Sequence, residues 1–486
     1  MNRTLRVDRF PVSGIRPGEI LVATEIIHPE RGLVSSPAAP LLAAALGRGE
    51  PDPGRRRVRL DPVAVTAETP GADRAVLVMA SYLDPTGRAV GLGAAAQAGD
   101  RVAVGVCTDL IARWAELLRS RRLLVADADP DCAGARAGIK AILQAARDAP
   151  PDAPVCVYGQ PIASVGQIAK LTAAGVTIAD DLGAVPDAAV VVFPAHGVPL
   201  PVRTQAAARG LKVVDATCPL AALAHRDVRA YADRGDTVVL ITGPRGTAAE
   251  HVLVSQAPES VLPMRDAAHV PDRQQNGTDP DRLSLVVSTG IPVDDAAAMI
   301  SALRARFPRV RGQHYDALCY TATDRAAAVR LVAAASDLTL VLGTADDPDA
   351  AHMQAEAAAG GRRVRRLAAA GDIAAGWLTS VTAIGVVPTR SAPPELMAQV
   401  LDTLAGLGPL SVATRQVRTS PGRPGPEPPA PMQDSAELQQ TVRPAVFLSR
   451  TDGGTTRCEA RHLPLASDFR RGSDRHGRHL SHRPLR

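Results

Sequence analysis

The chain has 486 residues, of which 46% are hydrophobic and only 2% aromatic, so it is long enough for several domains with an aliphatic core. Its net charge of +5 is small for this length, with the basic excess near the carboxyl terminus, which does not indicate nucleic-acid binding. No apolar run has membrane-spanning length and the six cysteines lack paired spacing. We therefore expect a cytoplasmic protein, neither membrane-bound nor secreted with a disulfide framework.

The first 120 residues are predicted to form an α/β extension of their own. Apolar runs at 20–24, 75–79 and 101–106 predict strands, and an alanine-rich run at 37–46 predicts a helix. Strands that alternate with helices are typical of an α/β unit. The segment contains no motif that indicates a function.

The α/β pattern is stronger from residue 121 onward. Strands are predicted at 122–126, 154–158, 189–193, 212–215, 237–241, 283–288, 338–342 and 383–387. Helices are predicted between them, at 133–146, 202–208, 221–233, 294–306, 322–334 and 394–407. This region is predicted to form three lobes, about 121–218, 219–312 and 313–410. The segment 418–486 is rich in proline and then basic without periodicity, and it is predicted to be disordered.

Three cysteines occur in similar settings, about one α/β unit apart. Cys132, Cys218 and Cys319 each follow an extended segment, which suggests that three lobes converge on one centre. Thiolates are the ligands that iron–sulfur clusters require, and three thiolates leave one iron of a cubane cluster free. By contrast, Cys107 and Cys156 are predicted to be buried as small hydrophobic residues.

One histidine lies where open α/β sheets bind ligands. His196 comes directly after the predicted strand 189–193, in the segment Pro-Ala-His-Gly-Val. Ligands of such sheets bind beyond the carboxyl ends of the strands. His196 is therefore a candidate binding residue, although a loop histidine with a purely structural role is the alternative.

Taken together, five motifs resemble those of the 4-hydroxy-3-methylbut-2-enyl diphosphate reductase family of the non-mevalonate isoprenoid pathway. The likeness covers about 121–410 and leaves the first 120 residues and the tail outside. The motifs are Asp-Cys-Ala-Gly at 131–134, Pro-Ala-His-Gly-Val at 194–198, Asp-Ala-Thr-Cys-Pro-Leu at 215–220, Asp-Ala-Leu-Cys-Tyr-Thr-Ala-Thr-Asp-Arg at 316–325 and Arg-Ser-Ala-Pro at 390–393.

This resemblance implies a fold, a cofactor and a reaction. The fold is a three-lobed α/β arrangement with pseudo-threefold symmetry around a central [4Fe–4S] cluster. The reaction removes the substrate's hydroxyl as water with two electrons and two protons, giving isopentenyl and dimethylallyl diphosphates. An electron donor such as a ferredoxin, a flavodoxin or an NADPH-linked system is implied as a partner.

The resemblance also implies roles for individual residues. Cys132, Cys218 and Cys319 match the cluster ligands. His196 and Ser391 match residues that bind the diphosphate. For catalysis, Thr289 matches a threonine near the substrate hydroxyl, and Glu250 matches the proton-delivering glutamate only if the local register shifts. These residues are Cys132, Cys218, Cys319, His196, Ser391, Thr289 and Glu250.

Some positions depart from the family pattern. An earlier histidine is expected around Ser164 but is absent, and a phosphate-binding Ser-x-Asn becomes Asp347-Pro348-Asp349. Because two carboxylates would repel a diphosphate, an alternative is a cluster-bearing paralogue that has lost diphosphate binding. Such a paralogue would be a redox or accessory protein, or an enzyme with another substrate. A third reading, an α/β binding protein without metal, requires the three cysteines to be coincidental.

Overall fold

The structure is a computed structural model of the whole chain. It describes residues 5–47, 56–65, 75–84, 86–126, 131–161, 163–243, 247–271, 279, 281–420 and 445–449. Most of the predicted tail therefore lies outside the described residues, as does Cys458. Within the described part, no helix is both long and apolar enough to cross a membrane.

The amino-terminal extension is a mainly antiparallel sheet, not the alternation of strands and helices that the sequence predicts. Its sheet order is β1-β5-β6-β3-β2-β4, with β6 also pairing with β2. The strands β5 and β6 form one long antiparallel hairpin. The elements are β1 (Arg6–Val12), β2 (Glu19–His28), β3 (Gly32–Ser35), α1 (Ala39–Gly47), β4 (Arg57–Ala64), β5 (Ala75–Leu83), β6 (Ala89–Gln97) and α2 (Arg101–Leu117).

The strand predicted at 101–106 was wrong, because these residues begin helix α2. The Asp100 side chain caps the helix by accepting a hydrogen bond from the Ala103 N–H at 2.9 Å. The alternation of Arg, Val, Ala, Val, Gly and Val imitates a half-buried strand over six residues. The longer pattern of buried positions has the helical period, and it continues through Leu110, Ile111 and Trp114.

Two of the three predicted lobes each contain a four-stranded parallel sheet. The first has the order β11-β10-β8-β9 and the second β13-β12-β14-β15. Short apolar strands buried on both faces are typical of parallel sheets covered by helices. The elements of the first are α3 (Ala133–Asp148), β8 (Val155–Tyr158), α4 (Val165–Ala173), β9 (Thr177–Ala179), β10 (Val190–Phe193), α5 (Leu200–Ala208) and β11 (Lys212–Asp215). Those of the second are α6 (Pro219–Asp233), β12 (Thr237–Ile241), α7 (Ala248–Val254), β13 (Val261–Met264), β14 (Leu283–Val287), α8 (Val293–Arg306) and β15 (Arg311–Gly312).

The third sheet differs from the predicted lobe boundaries. Strand β7 (Arg121–Ala126) lies between strands of the third lobe and is parallel to both of its neighbours, so this segment does not belong to the first lobe. The sheet order is β17-β16-β18-β7-β19-β20. Its other elements are α9 (Thr321–Ala334), β16 (Leu338–Leu342), α10 (Pro348–Ala358), β17 (Val364–Leu367), β18 (Ala383–Pro388), α11 (Leu396–Ala405), β19 (Leu410–Ser420) and β20 (Ala445–Ser449).

Ordered structure extends past residue 418, where the tail was predicted to begin. Strand β19 ends at Ser420, and β20 pairs with it in the antiparallel direction. The rest of the predicted tail, 421–444 and 450–486, lies outside the described residues.

The extension and the third lobe share one hydrophobic core. Residues of α1, α2 and β5 pack in the same cluster as β16, β18 and α11. Trp114 is fully buried there, and its indole N–H donates to the Gly406 carbonyl at 3.0 Å. The extension is therefore built onto one lobe rather than attached through a flexible linker.

Candidate functional site

The three motif cysteines each lie at the start of a helix. Cys132 is the N-cap residue of α3, Cys218 is the N-cap residue of α6, and Cys319 directly precedes Tyr320, the N-cap residue of α9. The partial positive charge of a helix N-terminus favours a thiolate over a thiol. One helix start from each lobe therefore presents a sulfur.

The sulfurs of two of these cysteines, Cys132 and Cys218, both lie beside Gly134. A β-carbon placed on Gly134 would lie 2.8 Å from Cys218 Sγ and 3.9 Å from Cys132 Sγ. Burial raises the pKa of Cys132, the Ala135 N–H and the Arg390 charge oppose the shift, and Cys319 and Cys218 raise it further through charge repulsion. Each of the other two sulfurs is thus near enough to act on Cys132, and Gly134 leaves the space between two of them open.

The residue types at these helix starts can be compared with what a cluster needs. Among the described residues, no group of three or more His, Cys, Asp or Glu side chains is arranged to hold one metal ion. Iron–sulfur clusters are held by cysteine thiolates, and each cysteine of a cubane cluster binds a different iron. All three cysteines are unpaired and partly accessible. Their chemistry and their convergence therefore fit a [4Fe–4S] cluster.

His196 lies on the loop after β10, as predicted, and contacts a second histidine. Burial lowers the pKa of His196 to about 4, helped by the charges of Arg390 and His225. The His225 ring hydrogen-bonds the main chain of His196 and has its own pKa lowered to about 4, chiefly by burial. Both rings are therefore neutral near pH 7. Gly197 has φ +80°, and a β-carbon there would lie 2.6 Å from His225 Cε1, so only glycine fits this turn.

Thr289 lies in the turn between β14 and α8, half-buried. That turn is joined to the helix that follows Cys319, because the Val293 N–H donates to Thr323 Oγ1 at 2.6 Å. The neighbouring Ser288 is buried, and its hydroxyl has no hydrogen-bond partner in the described part of the chain. The predicted catalytic threonine thus lies in a loop tied to the third cysteine's helix.

Glu250 is held by two neighbouring side chains. It is buried near the start of α7, where one carboxylate oxygen accepts a hydrogen bond from Thr242 Oγ1 at 3.0 Å. The other oxygen pairs with the Arg265 guanidinium. The catalytic role predicted for Glu250 stays a prediction.

Ser391 lies in a network with the two aspartates that replace the family's Ser-x-Asn. Its hydroxyl donates to Asp347, which also caps α10 by accepting the Asp349 N–H at 2.9 Å. Asp349 is paired with Arg325, whose Nη1 lies 2.8 Å and 3.0 Å from the two carboxylate oxygens. The predicted repulsion between these two carboxylates and a diphosphate is therefore weaker than the sequence suggests, because the buried guanidinium of Arg325 neutralises Asp349.

A second arginine, Arg390, begins the Arg-Ser-Ala-Pro motif, and the sequence predicts no role for it. Its Nε lies 3.7 Å from Asp131 and its Nη1 lies 3.8 Å from Asp349. It is also close enough to affect the pKa values of both Cys132 and His196. The only signal in the sequence was its position next to Ser391, the predicted phosphate-binding residue.

The comparisons with known proteins identify the family of the chain. The family model described as LytB protein matches residues 123–405, more than half of the chain. The chain belongs to the LytB family. The resemblance predicted from the motifs is confirmed, and the family match begins after the amino-terminal extension.

Two curated relatives of the LytB region are named for one activity. A protein from Mycobacterium bovis, named 4-hydroxy-3-methylbut-2-enyl diphosphate reductase 2, is 35% identical over 301 residues, which cover 61% of this chain and 90% of that protein. The 4-hydroxy-3-methylbut-2-enyl diphosphate reductase of Acidithiobacillus ferrooxidans is 34% identical over 260 residues, or 53% of this chain and 80% of that protein.

A solved structure supports the fold. The E-1-hydroxy-2-methyl-but-2-enyl-4-diphosphate reductase from Plasmodium falciparum matches with a TM-score of 0.53 at 20% identity, covering 66% of this chain and 98% of that one. The predicted three-lobed α/β class is therefore confirmed. The site roles assigned from the motifs remain predictions.

Proposed function

We propose that the chain is an iron–sulfur reductase that converts 4-hydroxy-3-methylbut-2-enyl diphosphate into isopentenyl and dimethylallyl diphosphates. The observation that carries the proposal is that Cys132, Cys218 and Cys319 lie at the starts of three helices. The sulfurs of Cys218 and Cys132 both lie beside Gly134, and Cys319 is near enough to raise the pKa of Cys132. The names of the relatives support the substrate, because proteins 34% and 35% identical are called reductases of this diphosphate.

In this proposal the three cysteines hold a [4Fe–4S] cluster. When bound, the cluster supplies electrons one at a time and a free iron for the substrate's hydroxyl. The helix N-termini stabilise the thiolates, each by about 0.3–1 kcal/mol. The side chain of Gly134 is only a hydrogen, which keeps the space beside Cys218 and Cys132 open.

The remaining residues bind and orient the substrate. His196 is a neutral imidazole at pH 7, since its pKa is about 4, and it offers one ring N–H to a phosphate oxygen. The Thr289 hydroxyl hydrogen-bonds the substrate's hydroxyl and fixes its direction. Ser391 offers a further hydroxyl to the diphosphate once it turns away from Asp347. Glu250, which pairs with Arg265 in the present arrangement, would deliver a proton only if this segment shifts.

The partner and the compartment follow from the chemistry. Loss of the hydroxyl as water consumes two electrons and two protons, so an external donor such as a ferredoxin, a flavodoxin or an NADPH-linked system is part of the proposal. A thiolate-bound cluster needs reduced cysteines, which agrees with a cytoplasmic location.

The test is anaerobic reconstitution of the full chain with iron and sulfide. We expect a cubane cluster whose electron paramagnetic resonance spectrum, recorded after one-electron reduction with a chemical reductant, changes when 4-hydroxy-3-methylbut-2-enyl diphosphate is added. With a chemical reductant, mass spectrometry should then detect both product diphosphates. A cluster that does not respond to the diphosphate would contradict the proposed substrate and favour the paralogue hypothesis. Failure to assemble a cluster would contradict the proposal as a whole.

A further inference from the structure

The first part of the argument concerns the position of the missing histidine. Ser164 occupies it, and its hydroxyl and N–H both donate to Asp131 Oδ2, at 2.9 Å and 3.2 Å. Ser164 therefore has no donor left for an anion. If the site binds a diphosphate, the hydrogen-bond donors must come from other residues.

A loop of the third lobe packs on this same position. The Val165 N–H donates to the Arg390 carbonyl at 2.9 Å. One residue further on, a β-carbon on Gly166 would lie 3.0 Å from Pro394 Cγ. The loop after β18 therefore brings Arg390 to the start of α4, next to Ser164.

The contacts of Arg390 leave its guanidinium incompletely satisfied. The distances to Asp131 and Asp349, 3.7 Å and 3.8 Å, are ion-pair distances beyond hydrogen-bond reach. Its Nε is buried and has no hydrogen-bond partner among the described residues. Asp349 has its strong bidentate contact with Arg325 instead. A buried donor without a partner is costly, so a ligand oxygen at this point would be stabilised.

We propose that Arg390 binds the anionic diphosphate end of the substrate and replaces the histidine absent at position 164. This inference rests on the proposed function for the identity of the substrate. The guanidinium offers parallel N–H groups that match two phosphate oxygens, which a histidine ring does not. Arg325 complements it by holding Asp349, so that Arg390 is free to turn toward the ligand.

The experiment measures binding of inorganic diphosphate to the full, reconstituted chain by calorimetry. The variants are Arg390→Ala and Arg390→Lys. The matched control is Arg309→Ala, because Arg309 forms an exposed surface pair with Asp281. We expect Arg390→Ala to weaken binding about 10- to 100-fold, the usual loss for a hydrogen bond to a charged group. Arg390→Lys should keep part of the affinity, since lysine keeps the positive charge but lacks the parallel N–H groups of the guanidinium. Arg309→Ala should bind as the unaltered chain does.

Steady-state kinetics separate this inference from the proposed function. If the chain reduces the substrate, Arg390→Ala should raise KM with kcat nearly unchanged, and the dependence of KM on salt should weaken. An unchanged KM would overturn the role of Arg390 while leaving the reductase intact. Conversely, Arg390-dependent diphosphate binding without turnover would support Arg390 and contradict the reductase. Equal affinity in Arg390→Ala and the unaltered chain, or no diphosphate binding at all, would overturn the inference.

Discussion

The proposed site has two halves that are built in different ways. The sulfur half consists of Cys132, Cys218 and Cys319. Each of these cysteines lies at the start of a helix, and the three helices, α3, α6 and α9, belong to different lobes. The anion half is the part proposed to bind the diphosphate, and it lies mainly in the third lobe. Its charged side chains, among them Asp349, Arg325 and Arg390, form ion pairs with one another. The sulfur half is therefore fixed by backbone geometry, whereas the anion half depends on the balance of individual charges.

The largest expected effect is on the sulfur half. Cys218→Ser should abolish the cluster's visible absorbance and lower the bound iron, because a hydroxyl does not replace a thiolate as a ligand. Absorbance and iron analysis after anaerobic reconstitution measure both. The matched control is Cys156→Ser, since Cys156 is buried in the first lobe away from the helix starts. Full iron content in Cys218→Ser would contradict the assignment of the triad.

In the anion half, Arg325→Met should mainly affect stability. It leaves Asp349 with a partly buried charge and without its bidentate partner, so we expect the free energy of unfolding to fall by about 3–5 kcal/mol. Urea denaturation measures the change. Arg309→Met, in a surface pair whose side chains are 77% and 61% exposed, should change stability by about 1 kcal/mol or less. Equal effects of the two variants would show that Asp349 does not depend on Arg325.

A smaller effect tests the space between the sulfurs. Gly134→Ala places a methyl group 2.8 Å from Cys218 Sγ, so the sulfur must shift and less cluster should be retained after reconstitution. Gly105→Ala is the control, because Gly105 lies inside α2 and a β-carbon there has nothing within 4 Å. That control should keep the cluster and gain about 0.5–1 kcal/mol of stability. If Gly134→Ala retains the cluster as well as the control does, the glycine is not needed for it.

The smallest expected effect concerns Asp347. Asp347→Ser removes one negative charge and frees the Ser391 hydroxyl, while serine remains a good cap for α10. We therefore expect diphosphate to bind several-fold more tightly, by about 1 kcal/mol, as measured by calorimetry. Asp100→Ser, at the cap of α2, is the matched control and should leave the affinity unchanged. Unchanged affinity in Asp347→Ser would mean that Ser391 does not contact the anion.

Much of the fold could be predicted from local patterns. Buried parallel strands are short continuous apolar runs, and those at β10, β12, β16 and β18 were placed within a residue or two. The error at 101–106 arose because six residues are too few to separate a strand period from a helical one. Sheet membership was not predictable either, since β7 pairs with strands that lie more than two hundred residues away in the chain.

The sequence by itself determined the family and the α/β class, and it singled out the three motif cysteines. Motifs, their order and their spacing can all be read along the chain without knowledge of its contacts. Only the tertiary structure decided the state of the charges around these cysteines. Glu250 is bound by Arg265, Asp349 by Arg325, and Arg390 lies beside Ser164. The physical reason is that the charge and hydrogen-bonding capacity of a side chain depend on which partners the fold brings within a few ångströms, and those partners come from distant parts of the chain.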